Sequence, residues 1–309
     1  MTTTATPIRT DRRTSRETEE RLDVTVILPV YNERGHILTE IARIKQALER
    51  SPYTFEILVV DDGSDDGTEA LLQDAVGIRL ITLPYNRGSG YARRVGTRAA
   101  LGDVVVWTDA DMTYPNDRIP ELVSELGDAD QVIGARTSEQ GTHRYLRMAA
   151  KGAIRRLAGY LVGQEIPDLN SGFRAFRRGV SLPYLRLLPD GFSCVTTITL
   201  SFMANGHPVR YVPIDYEQRA GRSKFHWRKD TARYLLQIVR MVMSFNPLRV
   251  FLPLSLLLLT GAFGKMAFDV VDKSGRITTN AVILTIVSFQ LLATGLLADL
   301  ISTLMGPRE

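Results

Sequence analysis

The stretch that decides the fold is Val104-Val105-Val106-Trp107-Thr108-Asp109-Ala110-Asp111-Met112-Thr113-Tyr114-Pro115. Its first half is apolar and β-branched, the pattern of a strand buried on both faces. Its second half sets two carboxylates either side of one small residue, then turns at Tyr114-Pro115. Side chains two apart on an extended chain point the same way, so Asp109 and Asp111 converge. Open parallel sheets bind their ligands at this carboxyl end. Two hard oxygen donors suit Mg²⁺ or Mn²⁺, and Mg²⁺ sites are commonly completed by substrate phosphates. The tripeptide alone equally fits solubilising turn residues, and the surrounding chain has to decide.

Outward from that stretch, strands and helices alternate. Val24–Val30, Phe55–Val60, Ile78–Leu83 and Gln131–Ala135 read as further strands. Ile37, Leu38, Ile41, Ile44 and Leu48 recur at helical spacing between the first two, and helices are expected near Asp66–Ala75 and Gly90–Leu101. This predicts an α/β fold, a Rossmann-like, mostly parallel sheet flanked by helices. The first strand ends in Pro29-Val30-Tyr31-Asn32-Glu33 and the second in Asp61-Asp62-Gly63-Ser64, both at the ligand edge. Carboxylates there can accept hydrogen bonds from a base N–H or a ribose hydroxyl. Asp65 and Asp66 suit turn and helix-capping duty. Asn86-Arg87-Gly88-Ser89-Gly90-Tyr91-Ala92-Arg93 carries two glycines, but Arg93 stands in the third place of a dinucleotide fingerprint. No Gly-Lys-Ser/Thr phosphate loop follows either.

Composition narrows the field. A net charge of +4 over 309 residues is too mild to argue for a nucleic-acid partner. The lone cysteine, Cys194, excludes an intrachain disulfide and a thiolate zinc cluster, and its neighbours suit a small buried hydrophobe. Residues 1–23 are polar and mixed in charge with no apolar run, which predicts a disordered tail rather than a signal peptide. Arg144–Val162 carries an apolar stripe beside Arg147, Lys151 and Arg155, fitting either a helix on an anionic membrane or one packed on its own domain. An apolar helix is expected over Phe192–Asn205 and a short strand over Pro208–Tyr216.

Basic residues crowd the chain from Arg219, and residues 226–248 are expected as a juxtamembrane amphipathic helix. Val250–Gly264, extended by Met266–Phe268, and Ala281–Ala298 are then uncharged and apolar apart from Lys265 between the first two pieces. They read as a two-helix transmembrane hairpin over 249–305, with a soluble helical subdomain as the alternative. Lys and Arg ahead of the first span put the 24–225 domain on the cytoplasmic side of a plasma (inner) membrane, as a multi-pass protein.

The pieces Val26-Ile27-Leu28-Pro29-Val30-Tyr31-Asn32-Glu33, Val59-Val60-Asp61-Asp62-Gly63-Ser64 and Asp109-Ala110-Asp111 resemble the family 2 glycosyltransferases of GT-A fold. Asp168-Leu169-Asn170-Ser171-Gly172-Phe173-Arg174-Ala175-Phe176 and Arg219-Ala220-Gly221-Arg222-Ser223-Lys224-Phe225 resemble the dolichol-phosphate mannose synthase and polyprenyl-phosphate glycosyltransferase branch. The resemblance implies a nucleotide-sugar donor held by Pro29, Tyr31, Glu33, Asp61, Asp62 and Ala110. It implies Mn²⁺ or Mg²⁺ on Asp109 and Asp111, with Arg219, Ser223 and Lys224 on phosphate. Arg136, Ser171 and Arg174 would meet the phosphate of a lipid acceptor, with Asp168 as base or as the residue that orients Arg174. Inversion by single displacement is also an expectation of the family.

Two positions depart from the branch. Thr113 stands where many relatives carry Gln, and Pro167 where many carry a basic residue. Both favour a UDP-sugar over GDP-mannose. The alternatives are a glycosyltransferase acting on a protein, glycan or diacylglycerol, and a membrane-tethered nucleotide-sugar binding module. A homo-oligomer is left open.

Overall fold

The computed structural model describes residues 22–137, 156, 159–160, 162–217, 243, 247–272 and 276–305. The expected amphipathic helix at Arg144–Val162, the juxtamembrane helix and the basic segment holding Arg219, Ser223 and Lys224 lie largely or wholly outside these residues.

The sheet is built from β1 (Leu22–Val30), β2 (Phe55–Asp61), β3 (Arg79–Thr82), β4 (Gly102–Trp107), β5 (Gln131–Arg136), β6 (Arg174–Arg177) and β7 (Val209–Ile214). Its order is β3-β2-β1-β4-β6-β5-β7. β1, β2, β3 and β4 run parallel, and so do β5 and β7, while β6 pairs antiparallel with both β4 and β5. The mostly parallel α/β reading therefore holds. The antiparallel β6 lies between β4 and β5. Four residues headed by an arginine carry no strand pattern of their own, so β6 owes its conformation to the two partners that hydrogen-bond it.

The helices are α1 (Ile37–Glu49), α2 (Thr68–Gln73), α3 (Ser89–Ala99), α4 (Ile119–Ser124), α5 (Arg178–Ser181), α6 (Cys194–Ala204), α7 (Leu248–Asp272) and α8 (Thr279–Met305). One face of the sheet packs with α1 and α4 through Ile37, Ile41, Ile44, Leu48, Ile119 and Leu122. The other packs with α3 and α6, where Trp107, Phe176, Phe202 and Cys194 are fully buried. Apolar strands sandwiched between helices are what a sheet buried on both faces requires.

α7 and α8 stand apart from that core. They have 25 and 27 residues. At about 1.5 Å per residue each exceeds a hydrocarbon core of about 30 Å. Only 11% and 17% of their apolar windows are buried within the protein, so neither is the core helix of a soluble subdomain. α7 runs past its apolar stretch, where Lys265 and Asp269 pair one turn apart.

Candidate active site

Parallel strands deliver their carboxyl ends to one edge, and the loops after β1, β2 and β4 meet there. The ends of β1 and β2 are in register, Val30 opposite Asp61. Pro29 is half-buried within β1, and Tyr31 and Glu33 are half-buried just beyond it. Asn32 adopts a left-handed backbone, φ 59°, that Asn tolerates better than most residues. Its amide donates to Asp65 Oδ1 at 2.7 Å and accepts from the Asp65 N–H at 3.0 Å. Asp66 accepts from the Thr68 N–H at 3.0 Å, at the start of α2. Asp65 and Asp66 thus serve the turn ahead of α2, whose N-cap position is Gly67.

Asp61 is fully buried. Its Oδ1 accepts from the Ser64 N–H at 3.3 Å and from the Ser64 hydroxyl at 2.5 Å. Its Oδ2 has no partner among the described residues. A buried carboxylate oxygen without a donor costs about 1–3 kcal/mol, so it is a ready acceptor for a ligand N–H. Asp62 behaves differently. It accepts from the Arg87 N–H at 2.9 Å and the Gly88 N–H at 2.7 Å, one on each oxygen. Burial raises its pKa, with the two N–H donors working against that shift. Its carboxylate fixes the Arg87–Gly88 loop.

β4 delivers Asp109 and Asp111. Ala110 between them is buried in the core, so only its backbone borders the edge. Asp111 Oδ1 accepts from the Thr113 hydroxyl at 2.6 Å and the Thr113 N–H at 3.3 Å, across a left-handed Met112 (φ 60°). Asp109 Oδ1 accepts from Arg93 Nη2, on α3. Behind the turn, Asn116 donates to Glu40 Oε1 at 2.5 Å and to the Asp109 carbonyl at 3.3 Å. Burial raises the pKa of Glu40, against the pull of the Asn116 amide.

The 168–174 segment closes the site from the other side. Tyr114 accepts the Gly172 N–H at 2.7 Å through its hydroxyl, and its ring stacks on Phe173 at 5.8 Å. Burial, then the Asp109 charge, pushes the Tyr114 hydroxyl pKa up. A Cβ on Gly172 would stand 3.0 Å from Asp109 Oδ2, so a side chain there would require the carboxylate to give way by a few tenths of an ångström. The chain leaving β7 also returns here. The Glu217 N–H donates to the Thr113 carbonyl at 3.0 Å, and Tyr216 meets Tyr114 edge-on at 5.1 Å.

Arg136 and Asp168 form a two-pronged pair, Nε to Oδ2 at 2.7 Å and Nη2 to Oδ1 at 3.0 Å. Burial opposes ionisation of Asp168, but the Arg136 hydrogen bond and charge outweigh it and hold the carboxyl below its usual range. Asp168 therefore orients Arg136 and not Arg174. Arg174 makes a separate set of contacts. It is fully buried, its pKa pulled down by burial to about 10. Its guanidinium donates to the Val195 carbonyl at 2.7 Å, the Thr199 hydroxyl at 2.8 Å and the Ser171 carbonyl. It supports the Ser171–Gly172 backbone from beneath. Ser171 is likewise fully buried, its hydroxyl accepting from the Phe173 N–H at 3.3 Å.

The profile of "Glycosyl transferase family 2" matches residues 25–182, just over half of the chain. The chain belongs to that family. A second profile, "GtrB C-terminal hairpin", matches residues 246–304 and so takes in α7 and α8, the hairpin of a membrane protein.

Relatives of this family 2 enzyme include the undecaprenyl-phosphate 4-deoxy-4-formamido-L-arabinose transferase of Aeromonas hydrophila, 26% identical over 90% of this chain and 88% of that one. The dolichol-phosphate mannosyltransferase of Pyrococcus furiosus is 33% identical over 72% of this chain and 64% of its own. Glucosyl-3-phosphoglycerate synthase of Mycobacterium tuberculosis, solved with Mn²⁺, UDP-glucose and phosphoglyceric acid, superposes with a TM-score of 0.58 at 20% identity, covering 72% of this chain and 80% of that one. At that identity the likeness bears on the fold alone, and the fold is GT-A.

No three His, Cys, Asp or Glu side chains gather as a metal cage among the described residues. Two carboxylates at one strand end fit a hard cation that takes the rest of its shell from a diphosphate. Three contributors escaped the sequence reading: Arg93, Tyr114 and the Glu40–Asn116 brace. Only Tyr114 carried a signal, its place directly after the Asp turn.

Proposed function

We propose that this family 2 glycosyltransferase moves a sugar from a nucleotide-sugar to a polyprenyl phosphate, giving polyprenyl-phosphate-sugar and a nucleoside diphosphate with inversion at the anomeric carbon. The observation that carries the reading is the close approach of the Gly172 backbone to Asp109, pinned by the Tyr114 hydroxyl. It sets the 168–174 segment within a few ångströms of the Asp turn, as a direct displacement between two phosphate-bearing substrates needs.

In this reading an acceptor phosphate oxygen attacks the anomeric carbon, and the bond from that carbon to the diphosphate oxygen breaks. The phosphate monoester is mostly ionised near neutral pH, with a second pKa of about 6, so positioning matters more than a base. Arg136, aimed by Asp168 and lying over Tyr216 at 5.3 Å from the ring, brings positive charge to the acceptor side. Asp61 Oδ2 would accept from the nucleobase, with Pro29, Tyr31 and Glu33 lining the nucleoside. Asp109 and Asp111 would hold Mn²⁺ or Mg²⁺, which supplies neutralisation of charge on the departing diphosphate. Arg219, Ser223 and Lys224 follow closely on Glu217, which is bonded to the Asp turn, and would contact phosphate. A UDP-sugar is put first because of Thr113 and Pro167. The basic residues ahead of α7 favour a catalytic domain facing the cytoplasm.

The test incubates the purified full-length protein with undecaprenyl phosphate and labelled UDP-glucose, UDP-N-acetylglucosamine or GDP-mannose, and extracts the lipid. Label in the organic phase with one donor, abolished by EDTA and restored by Mn²⁺ or Mg²⁺, is expected. Label passing only to protein, glycan or diacylglycerol overturns the acceptor.

A further inference from the structure

Arg93 is a charged side chain that the proposed reaction does not employ. It sits in α3 with 2% exposure. Its Nη2 donates to Asp109 Oδ1, its guanidinium lies 5.7 Å from the Trp107 ring, and Nη1 is 3.9 Å from the buried Cys194 sulfur. A guanidinium stays protonated in proteins, and this one lies against the Asp109 carboxylate. The Asp109–Asp111 pair is therefore seen by an incoming cation together with a fixed positive charge. The three groups carry one net negative charge between them, and no third ligand residue stands by among the described residues.

We infer that Arg93 makes cation binding at the Asp109–Asp111 turn conditional on the nucleotide. The inference rests on the donor-site reading above and adds to it the residue that imposes an order. A divalent ion meeting one net charge and two carboxylates, one of them already tied to a guanidinium, binds weakly. The nucleoside diphosphate brings further negative charge and oxygen ligands, and the ion then binds as part of the nucleotide complex. Arg93 also fixes which oxygen is held: Oδ1 of Asp109 is bound to the guanidinium, and Oδ2 lies beside Gly172. Arg93 is thus a positioning residue that keeps the turn ordered before any ion arrives.

The experiment titrates Mn²⁺ into the full-length protein in detergent, reading free Mn²⁺ by electron paramagnetic resonance, with and without UDP or GDP. Wild type, Arg93→Lys and Arg93→Gln are compared. The wild type should bind Mn²⁺ at least about tenfold more tightly with its nucleotide than without. Arg93→Gln removes the opposing charge and should tighten nucleotide-free Mn²⁺ binding by roughly tenfold or more, which shrinks the nucleotide effect. Arg93→Lys keeps the charge and should retain most of that effect. A residue that merely packs would not raise Mn²⁺ affinity when removed. Folded Arg93→Gln with unchanged nucleotide-free affinity overturns the inference and leaves the donor site standing. So does a wild type that binds Mn²⁺ equally well without nucleotide, a result that holds even where Arg93→Gln does not fold. Absence of Mn²⁺ binding by the wild type under both conditions overturns the donor-site reading as well.

Discussion

Tyr114 joins the two sides of the site through one hydroxyl. Removing it as Tyr114→Phe leaves the Gly172 N–H without its acceptor, a cost of about 1–3 kcal/mol. The expected result is transfer slowed roughly tenfold or more with nucleotide affinity nearly unchanged, read by lipid extraction beside calorimetric titration. Full activity would show that the contact does not position the 168–174 segment. Arg174→Lys is expected to act on stability, because a lysine cannot serve the Val195, Thr199 and Ser171 oxygens together. Its thermal midpoint should fall by several degrees, while the surviving folded protein keeps its nucleotide affinity. Asp168 gives a pH prediction. Its folded pKa lies below the unfolded value, so its contribution is present above about pH 4 and is lost as pH falls through the lower, folded pKa. The gap in thermal midpoint between wild type and Asp168→Asn should therefore close on acidification below about pH 4. A gap that persists unchanged would remove the ion pair with Arg136 as its cause. The Asp109–Asp111 pair was legible because its spacing works through the local chain. Arg93 and Arg174 were not, because whether an arginine faces water or a buried carbonyl is settled by partners far away in sequence.

At the scale of elements, the glycines of the Asn86–Arg93 segment acquire a purpose other than phosphate binding. Gly88 and Gly90 lie against the backbone of 189–191. The Asp190 carbonyl accepts from the Gly90 N–H at 2.7 Å and the Tyr91 N–H at 3.2 Å. The first turn of α3 is thus filled by a loop of the same chain, and Arg94 fastens Asp190 at 2.5 Å. A Cβ on Gly90 would come 2.2 Å from the Pro189 carbonyl oxygen. Gly90→Ala should therefore destabilise by about 1–3 kcal/mol, read as a lowered thermal midpoint of the full-length protein. A neutral result would show the 189–191 loop free to move aside. Most strands and the helices α1, α2, α3 and α6 followed from the sequence pattern, whereas the short α4 and α5 did not. β6 did not, because four residues are too few to show a period, and its antiparallel run between β4 and β5 is a matter of topology.

At the scale of the whole molecule, a sheet domain carrying the site is joined to two helices whose apolar surfaces the domain does not cover. That division was legible, since uncharged runs of this length have few uses other than crossing a membrane. A chain ended after Phe245 should lose stable attachment to membranes, leaving at most salt-sensitive binding. Carbonate extraction compares it with the full-length protein, and equal resistance would contradict the hairpin.

The central claim is that a lipid phosphate oxygen displaces an intact nucleoside diphosphate from the sugar beside the Asp turn. The most direct measurement is mass spectrometry of both products of one reaction, the lipid and the released nucleotide. The account predicts a polyprenyl lipid bearing one phosphate and one sugar, with a nucleoside diphosphate released in equal amount. A lipid bearing two phosphates with a nucleoside monophosphate, or free sugar with no lipid product, would contradict it.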